Sequence, residues 1–377
     1  MKKLLAAAAV AVPLALAASG GAANGNASAA AVCPGSPVAT AHCHALVVTD
    51  ARGNPLASTS PTGLAPATIK SVYSFPTSPT AGAGTAIAIV DAYDDPNAES
   101  DLNVFSSQYG LPACTTANGC FTKVNQFGGT NYPQKNAGWA LEISLDIQWA
   151  HAIAPGAKIV LVEAKTNSFA NLLAAEDYAK AHAQYVSNSW GGSEFSGESS
   201  YDSHFVQSGV SFFVSAGDSG LPAEYPSASP NVISVGGTTL RFSGGVFISE
   251  TGWSSGGGGC SAYESANAAQ SSFGDYGQVG CAGRRATPDV SLDADPASGV
   301  SVYDSVRYQG QAGWFSVGGT SASSPMWAAR SADAGAVVDA AYVYGNSIGY
   351  RDITSGNNGA PCLVGFDLCT GRGSWVG

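Results

Sequence analysis

The stretch Gly318-Gly319-Thr320-Ser321-Ala322-Ser323-Ser324-Pro325 joins a strand-like run, Trp314-Phe315-Ser316-Val317, to an alanine-rich segment that favours a helix. This pattern places Ser321 in the first turn of a helix, where unpaired N–H groups favour developing negative charge. A serine in such a place suits a nucleophile, provided that a base lies beside it. The same pattern also fits a serine that caps an ordinary helix, so other segments must distinguish the two.

Strands and helices alternate on the N-terminal side of this stretch. The apolar run at 85–91 predicts a buried parallel strand, as do shorter runs at 158–162, 184–187, 210–215 and 232–235. Helices are predicted at 137–152, at 167–183 with an asparagine cap, and at 200–208. Residues 238–313 are glycine-rich and predicted to hold few strands, with a hairpin near 239–250 and a strand near 299–306. The alternation predicts an α/β fold with a mostly parallel central sheet flanked by helices on both faces.

The composition narrows the classes of partner. The 377 residues include 47 glycines and carry a net charge of −11, with only 11% charged residues. An acidic balance argues against nucleic acid or an anionic membrane as a partner. A low charge density with excess acid also fits a protein that works in acid.

The N-terminal segment predicts export. Lys2 and Lys3 precede an apolar run over residues 4–17 that is too short for a membrane anchor, the alternative, and cleavage is expected near residue 17 or 29. We therefore expect a signal peptide and flexible lead-in at 1–29, a short irregular arm or pro-segment at 30–67, and one catalytic domain at 68–377. The mature protein is expected to be an extracellular monomer that does not associate with a membrane.

Eight cysteines agree with an oxidising compartment. Their spacing favours local disulfides between sequential pairs, although sequence alone does not fix the connectivity. The pairs are Cys33 with Cys43, Cys114 with Cys120, Cys260 with Cys281, and Cys362 with Cys369. Zinc is the alternative, and only the Cys43-His44 neighbourhood approaches a zinc-binding pattern.

The predicted helix at 137–152 is apolar on every side, so we expect it to be buried. Glu142 and Asp146 nevertheless lie four residues apart, one turn above the other on a single face. Two buried carboxylates lower their energy by sharing a proton, which raises one pKa and suits a general base or acid. The alternatives are a pair that faces solvent, one neutralised by Lys135 or Lys158, or one that binds calcium.

The histidines offer no obvious partner for Ser321. None lies in a glycine-rich His-Gly-Thr context, and His42 and His44 fall in the irregular arm. His151 ends the helix just described but turns away from Glu142. A histidine-based triad is therefore the weaker hypothesis.

Two further segments follow predicted strands, at the edge where open α/β sheets bind ligands. Asp218 could donate to an oxyanion if it is protonated, so activity should fail as it ionises. The alternative is an aspartate that caps its own turn. The backbone of Ser189, Trp190 and Gly191 could pair with an extended peptide, while Trp190 either lines a side-chain pocket or packs in the core.

Together and in this order, the Ser321 loop, the Glu142/Asp146 helix and the Asp218 loop resemble the sedolisins, serine-carboxyl peptidases related to subtilisin. The resemblance extends from about residue 68 to the C terminus. It implies a subtilisin-like fold and an endopeptidase that hydrolyses proteins or peptides at acidic pH. Ser321 would be the nucleophile, Glu142 its base, Asp146 the acid that tunes the base, and Asp218 the oxyanion donor.

The resemblance also implies one structural calcium ion near the C terminus, since segments 350–359 and 365–371 match the two parts of the family's site. The ligands would be two carboxylates and three backbone carbonyls, from Asp352, Asp367, Ile353, Leu363 and Gly365. The chain departs from the family pattern at Leu363, where glycine is common. The segments between the Ser321 helix and Asp352 and between 358 and 365 are also shorter.

Two other functions stay open. One is an exported peptide-binding protein on the same scaffold with weakened catalysis. The other is an esterase that uses the same serine, although Ser321 does not lie in the Gly-x-Ser-x-Gly motif of that class. The resemblance also implies a long N-terminal propeptide, whereas residues 18–67 are short, so the means of holding activity off is an open question.

Overall fold

The computed structural model describes residues 28–33, 40–345 and 349–377. The predicted signal peptide and lead-in lie outside the described residues apart from positions 28 and 29. Within the described ranges, no helix combines the length and the apolar character needed to cross a membrane.

The strands are numbered in chain order. They are β1 (Ser28–Ala31), β2 (His42–Cys43), β3 (Leu46–Thr49), β4 (Ala57–Ser58), β5 (Ala86–Ala92), β6 (Phe121–Asn125), β7 (Lys158–Ala164), β8 (Tyr185–Asn188), β9 (Trp190–Ser193), β10 (Ser211–Ser215), β11 (Glu224–Tyr225), β12 (Ile233–Ser243), β13 (Val246–Gly252), β14 (Gly259–Ser265), β15 (Arg284–Thr287), β16 (Val290–Asp293), β17 (Val300–Tyr308), β18 (Gln311–Gly318), β19 (Tyr350–Arg351) and β20 (Ser374–Trp375).

The helices are numbered in the same way. They are α1 (Pro66–Tyr73), α2 (Ala98–Tyr109), α3 (Ala137–Ile153), α4 (Phe169–His182), α5 (Ala268–Ser271), α6 (Thr320–Ala334) and α7 (Ala340–Tyr344). Short 3₁₀ helices cover Glu198–Phe205, Gly274–Val279 and Pro296–Ser298.

The central sheet has the strand order β13-β12-β10-β8-β5-β7-β6, with β16 also paired to β12. Its pairs are parallel except β12 with β13, which form the predicted hairpin. Helices α3 and α6 pack together over the sheet, and α4 packs on β5 and β7. The predicted α/β architecture with a mostly parallel sheet and helices on both faces is confirmed.

The strand register brings three carboxyl ends to one edge of the sheet. Val90 of β5 lies opposite Asn188 of β8, which in turn lies opposite Val214 of β10. The residues that follow, Asp91, Ser189 and the loop after Ser215, therefore begin at the same level. In open α/β sheets this edge is where ligands bind.

Helix α3 is buried along nearly its whole length, as its apolar sequence predicts. Every residue from Gly138 to Ile153 is buried. The Asn136 side chain caps its start by accepting hydrogen bonds from the N–H groups of Gly138 and Trp139 at 3.0 and 3.2 Å. In α4 the cap is Ser168, which accepts from the N–H of Asn171, rather than the predicted asparagine.

Two segments are more regular than predicted. The arm at 30–67 contains β2, β3 and β4, and β3 joins a second sheet with the β17–β18 hairpin. The glycine-rich region contains β13 to β17 in full. Its glycines mark close packing as well as turns: a Cβ on Gly252 at the end of β13 would lie 2.3 Å from the sulfur of Cys362.

The cysteines form the four sequential disulfides that the spacing favoured. Cys43 is bonded to Cys33, so its sulfur is not free for the zinc site that was the alternative. Each disulfide closes a short local loop and so restricts the unfolded chain.

Candidate active site

The turn before α6 fixes the backbone of Ser321. Gly319 adopts φ of 98°, a conformation that favours glycine, and α6 begins at Thr320. Ser321 is fully buried, and its hydroxyl donates to the carbonyl of Ser189 at 3.3 Å. Its carbonyl would ordinarily accept from the residue four positions on, but this is Pro325, which has no N–H. The Ser189 hydroxyl donates to that carbonyl instead, at 3.4 Å.

Three buried carboxyl groups, those of Asp91, Glu142 and Asp146, form a cluster beside the nucleophile. Each residue is fully buried, and none of their carboxyl oxygens has a hydrogen-bond partner among the described residues. Burial, reinforced by Asp146 and Asp91, raises the pKa of Glu142 well above its usual range. Burial and then Asp91 likewise raise the pKa of Asp146, and burial raises the pKa of Asp91 to about 8. Burial excludes the solvent-facing alternative, and the raised pKa values favour carboxyls that share protons over three separate charges.

The Ser321 hydroxyl lies next to Glu142 without being bonded to it. Its proximity lowers the pKa of Glu142, against the larger effect of burial. The hydroxyl donates to the Ser189 carbonyl, however, and both Glu142 oxygens lack a partner. Turning the hydroxyl toward Glu142 would create the bond that a nucleophile needs with its base. Such bonds are often long until substrate is bound.

Sequence reasoning missed Asp91. It is the last residue of the predicted strand at 85–91, and the apolar pattern of that strand carries no information on the charge at its end. The available signal was an acid at the end of a continuous apolar run, on the edge of the sheet that also carries Ser189 and the Asp218 loop.

Asp218 approaches the same turn from the loop after β10. Its Oδ1 accepts hydrogen bonds from the N–H of Thr320 at 2.7 Å and the Thr320 hydroxyl at 3.0 Å. Its Oδ2 is enclosed, and no described residue bonds to it. Although the residue as a whole is only partly buried, enclosure of the carboxyl raises its pKa to about 7. A proton on Oδ2 would therefore point toward the Gly319 turn.

The backbone of β9 pairs with an extended segment, as the sequence suggested it could. The partner is β2 of the same chain, with His42 opposite Gly191. Trp190 instead belongs to the core: its indole is fully buried, packs against Phe169 and donates to the Val90 carbonyl at 3.0 Å. Trp190 therefore packs in the core, which was the alternative, and does not line a side-chain pocket.

The fold brings one unexpected histidine to the site. His44 is fully buried, and its Nδ1 and Nε2 lie 2.7 Å from Ser215 Oγ and 3.0 Å from Glu224 Oε2. Its backbone carbonyl, and not its ring, contacts Ser321. Since both ring nitrogens are engaged elsewhere, this histidine does not act as a base for Ser321. No sequence signal identified His44, because its position depends on where the arm lies in the fold.

The predicted calcium ligands lie together but do not form a cage for an ion. Both Asp367 oxygens accept backbone N–H bonds, one of them from Leu363 at 2.6 Å, and Asp352 accepts from Gly365 at 2.9 Å. Leu363 and Gly365 thus present N–H groups to the carboxylates, whereas calcium requires oxygen ligands. Burial raises the pKa of Asp367 to about 6, and the nearby charge of Asp352 adds to this effect. Ile353 is buried behind the loop. Both carboxylates are thus bonded to N–H groups of the loop, and calcium ligation by the carbonyls of Ile353, Leu363 and Gly365 stays a prediction.

Comparisons with known proteins show which family this chain is similar to. A family model described as the subtilase family matches residues 129–354. Kumamolisin from Bacillus sp. (strain MN-32) is 32% identical over 370 residues, which cover 85% of this chain and 63% of that protein. Sedolisin from Pseudomonas sp. (strain 101) is 34% identical over 206 residues, covering 44% of this chain and 33% of that protein. The chain thus spans less than two thirds of the length of these relatives.

Solved structures give the same result. Pseudomonas sedolisin, a serine-carboxyl proteinase complexed with two molecules of pseudo-iodotyrostatin, superposes with a TM-score of 0.70 at 28% identity, covering 84% of this chain and 96% of that one. Sphericase, at 19% identity and a TM-score of 0.52, shares the fold. The chain therefore belongs to the subtilase family, and the resemblance to the sedolisins that the three motifs predicted is confirmed.

Proposed function

We propose that this chain is an exported serine endopeptidase that hydrolyses peptide bonds of proteins at acidic pH. Ser321 is the nucleophile, Glu142 its base, Asp146 the acid that tunes the base, and Asp218 the oxyanion donor. The observation that carries this proposal is a buried serine at a helix N terminus beside a cluster of buried carboxyls. Similarity to kumamolisin and to the serine-carboxyl proteinase sedolisin supports it.

The proton path follows from the contacts. Ser321 Oγ attacks the substrate carbonyl and passes its proton to Glu142, which later gives it to the leaving amine. A water molecule then repeats the sequence and releases the acyl group. Asp146 and Asp91 interact with Glu142 by charge, so a proton shared within the cluster sets how readily Glu142 accepts another.

The oxyanion would be held by the N–H of Ser321 and by Asp218. Removal of one such donor typically costs about 3–4 kcal/mol in transition-state energy. Asp218 can donate only while protonated, which its pKa of about 7 allows in acid. Activity should therefore decline as the pH rises past neutrality.

The surroundings support export and a peptide substrate. Four disulfides agree with an oxidising compartment. The backbone of Ser189, Trp190 and Gly191 provides an edge on which an extended peptide can pair, as β2 does. Calcium takes no part in these steps. A higher thermal unfolding temperature in the presence of added calcium would identify it as a structural ion.

The test is hydrolysis of denatured casein at pH 4 and pH 8 by purified protein. Wild type should cleave at pH 4 and lose activity at pH 8, while Ser321→Ala, Glu142→Ala and Asp218→Ala should each fall to background. Ser219→Ala, an exposed neighbour of Asp218, is the matched control and should retain activity. Full activity in Glu142→Ala would refute the assignment. Capture of peptides without cleavage would instead identify the weakened binding protein, and cleavage of esters alone an esterase.

A further inference from the structure

Helix α4 buries a carboxyl group in the middle of its apolar face. Glu176 is fully buried, and neither of its carboxyl oxygens has a hydrogen-bond partner in the part of the chain that the structure describes. The other buried residues of the helix lie along the same side and form the face that packs on β5 and β7. They are Phe169, Leu172, Leu173, Ala175 and Ala179. A buried acid in such a place is unfavourable unless a polar group faces it from the sheet.

Asn188, the last residue of β8, is that polar group. The residue before it, Ser187, bonds through its hydroxyl to the Ser324 hydroxyl of α6 at 2.9 Å, so Ser187 points to the face of the sheet that α6 covers. Because side chains alternate along a strand, Asn188 points to the opposite face, where α4 packs. It is fully buried, and both polar atoms of its amide also lack a partner among the described residues. Burial raises the pKa of Glu176 to about 8, and a contact with the Asn188 amide opposes this rise, so the two side chains meet across the interface of helix and sheet.

A carboxylic acid and a primary amide can satisfy each other completely. The acid O–H can donate to Asn188 Oδ1 while the Asn188 N–H donates to the other acid oxygen, so each of the unpartnered atoms gains a bond. The terminal torsions of both side chains are broad, so a small rotation is enough to form the pair. A carboxylate only accepts hydrogen bonds, and ionisation therefore leaves Asn188 Oδ1 without a donor. The pair is complete only while Glu176 carries its proton.

Beyond burial and Asn188, the charges that act on Glu176 come from α4 itself. Lys180 lowers the pKa of Glu176 and Asp177 raises it, and these two residues bond to each other at 2.8 Å. Asp177 also lies 2.9 Å from His204, on the 3₁₀ helix that packs on α4. The remaining charged groups of the elements packed on α4 are exposed or engaged elsewhere: Lys158 is exposed, Asp91 acts on Glu142, Glu163 on Lys123, Glu198 on Glu194 and Asp202 on Tyr225. The proton on Glu176 is therefore governed mainly by burial and by Asn188.

Asn188 adjoins the residues that hold the nucleophile. Its carbonyl accepts a hydrogen bond from the Ser215 hydroxyl at 3.3 Å, on the strand that leads to Asp218. The next residue, Ser189, accepts from the Ser321 hydroxyl at 3.3 Å and donates to the Ser321 carbonyl at 3.4 Å. A shift of Asn188 would therefore move Ser189 and with it Ser321, and a displacement of about 1 Å can lower the rate about a hundredfold.

We propose that Glu176 is a positioning residue, which in its protonated form pairs with the Asn188 amide and so keeps Ser189 and Ser321 in line with Glu142. The inference rests on the proposed function and adds a second required proton, separate from the one on Asp218. When the pH rises, Glu176 gives its proton to water, the bond to Asn188 Oδ1 is lost, and the end of β8 is no longer fixed. Activity then falls for two reasons, first the ionisation of Asp218 and then that of Glu176.

The first experiment measures kcat and KM for a peptide taken from casein, between pH 4 and pH 9, in wild type, Glu176→Gln and Glu176→Leu. Glutamine donates to and accepts from the Asn188 amide at every pH, so it imitates the protonated acid. One ionisation lowers kcat/KM about tenfold per pH unit and two lower it about a hundredfold, so above pH 8 wild type should fall more steeply than Glu176→Gln by about tenfold per unit. At pH 4 Glu176→Gln should match wild type, while Glu176→Leu should have a kcat lower by about tenfold or more at an unchanged KM. Ala181→Ser, on the exposed side of α4, is the control and should keep the wild-type profile.

The outcomes separate this inference from the proposed function. An equally steep loss of activity in Glu176→Gln and wild type would overturn the inference and leave the proposed function standing. A wild-type kcat in Glu176→Leu would do the same. Absence of hydrolysis by wild type at every pH would overturn both.

The second experiment tests the pair without relying on activity. Glu176→Leu, Asn188→Leu and the double variant are unfolded with guanidinium at pH 4, in a Ser321→Ala background. Each single variant leaves one buried polar group without its partner and the double variant leaves none, so the double variant should unfold at a higher guanidinium concentration than either single one. Additive losses would show that the two side chains do not pair, which contradicts the inference.

If a single leucine variant is insoluble, Glu176→Gln in the same background keeps the test. Burial raises the pKa of Glu176 from 4.5 to about 8, so the stability that its proton contributes is complete below pH 4.5 and is lost as the pH rises to about 8. The guanidinium midpoint of Glu176→Gln should therefore change less between pH 4 and pH 9 than that of its parent. An equal change in both proteins would rule out a protonated Glu176 and with it the pair.

Discussion

The Asp218 carboxyl should make the folded protein less stable as the pH rises, and Asp218→Asn should remove that dependence. Oδ1 accepts two hydrogen bonds from Thr320, while the enclosed Oδ2 has no partner among the described residues. An asparagine oxygen can accept the same two bonds, and its amide is neutral at every pH. The substitution therefore removes the titration and keeps the contacts.

The sign and size follow from the pKa, which enclosure raises from 3.8 to about 7 in the folded protein. The folded state keeps a proton that the unfolded state has lost, so this contribution to stability is complete below pH 3.8 and is lost as the pH rises to about 7. A shift of this size corresponds to about 4 kcal/mol at about 1.36 kcal/mol per pH unit. Because the residue is partly accessible to water, we discount the expected loss to about 3 kcal/mol.

The assay is guanidinium unfolding at pH 4 and pH 8, in a Ser321→Ala background that prevents self-digestion. The other buried carboxyls titrate in both proteins, so the difference between the two pH profiles isolates Asp218. Ser219→Ala, at the exposed neighbour of Asp218, adds and removes no charge, so it is the matched control and should leave the profile unchanged. If Asp218→Asn loses as much stability as its parent between the two pH values, the carboxyl is not protonated in the fold and the reasoning fails.

Three further predictions concern buried groups. Glu142→Gln should fold and should unfold at a higher guanidinium concentration than wild type at pH 8, because a carboxyl that its neighbours repel has been removed. Casein hydrolysis should disappear. A lower guanidinium midpoint than that of wild type would contradict this prediction. Arg285→Met removes the cation that is bonded to the buried Asp289 carboxylate at 2.5 Å and leaves only the neutral donors of Ser234, Gln270 and Tyr344. Unfolding should become easier by about 3–5 kcal/mol, and a change below about 1 kcal/mol refutes the estimate. In Gly257→Ala the new Cβ would lie 2.0 Å from the carbonyl oxygen of Ala216, so the loop that carries Asp218 must shift. We expect at least a tenfold lower kcat/KM, or no soluble protein, and wild-type activity would contradict it.

Much of the central fold was predictable from local pattern. The apolar runs at β5 and β7 and the all-round apolar α3 are recognisable within a few residues, because strand and helix periods are short. The glycine-rich composition of residues 238–313 predicts few strands, and this prediction was wrong for β14 to β16. Strands β15 and β16 have four residues each and no glycine, so they are too short to show a strand period within a glycine-rich region. A glycine in a strand and a glycine in a turn look alike in sequence.

The candidate site also has features that local sequence predicts and features that depend on tertiary packing. Ser321 and the Glu142/Asp146 pair each carry a local signature: a turn into a helix, and two acids one turn apart in an apolar segment. Their proximity to each other, and to Asp91, is a property of helix packing on the sheet. The nearness of Asp218 to the Ser321 turn likewise depends on the order of strands, which no local pattern records.

The sequence by itself determined the alternation of strands and helices and the chemical types available to one serine, because these depend on neighbours a few residues apart. Cysteine spacing favoured the sequential disulfides, and the tertiary structure decided their pairing. Only the tertiary structure decided that an arm outside the predicted catalytic domain lies in the cleft, with a histidine bonded to groups 171 and 180 residues away. The physical reason is that extended backbone can pair with any free strand edge of suitable length. Which edge it takes is settled by the packing of the whole chain.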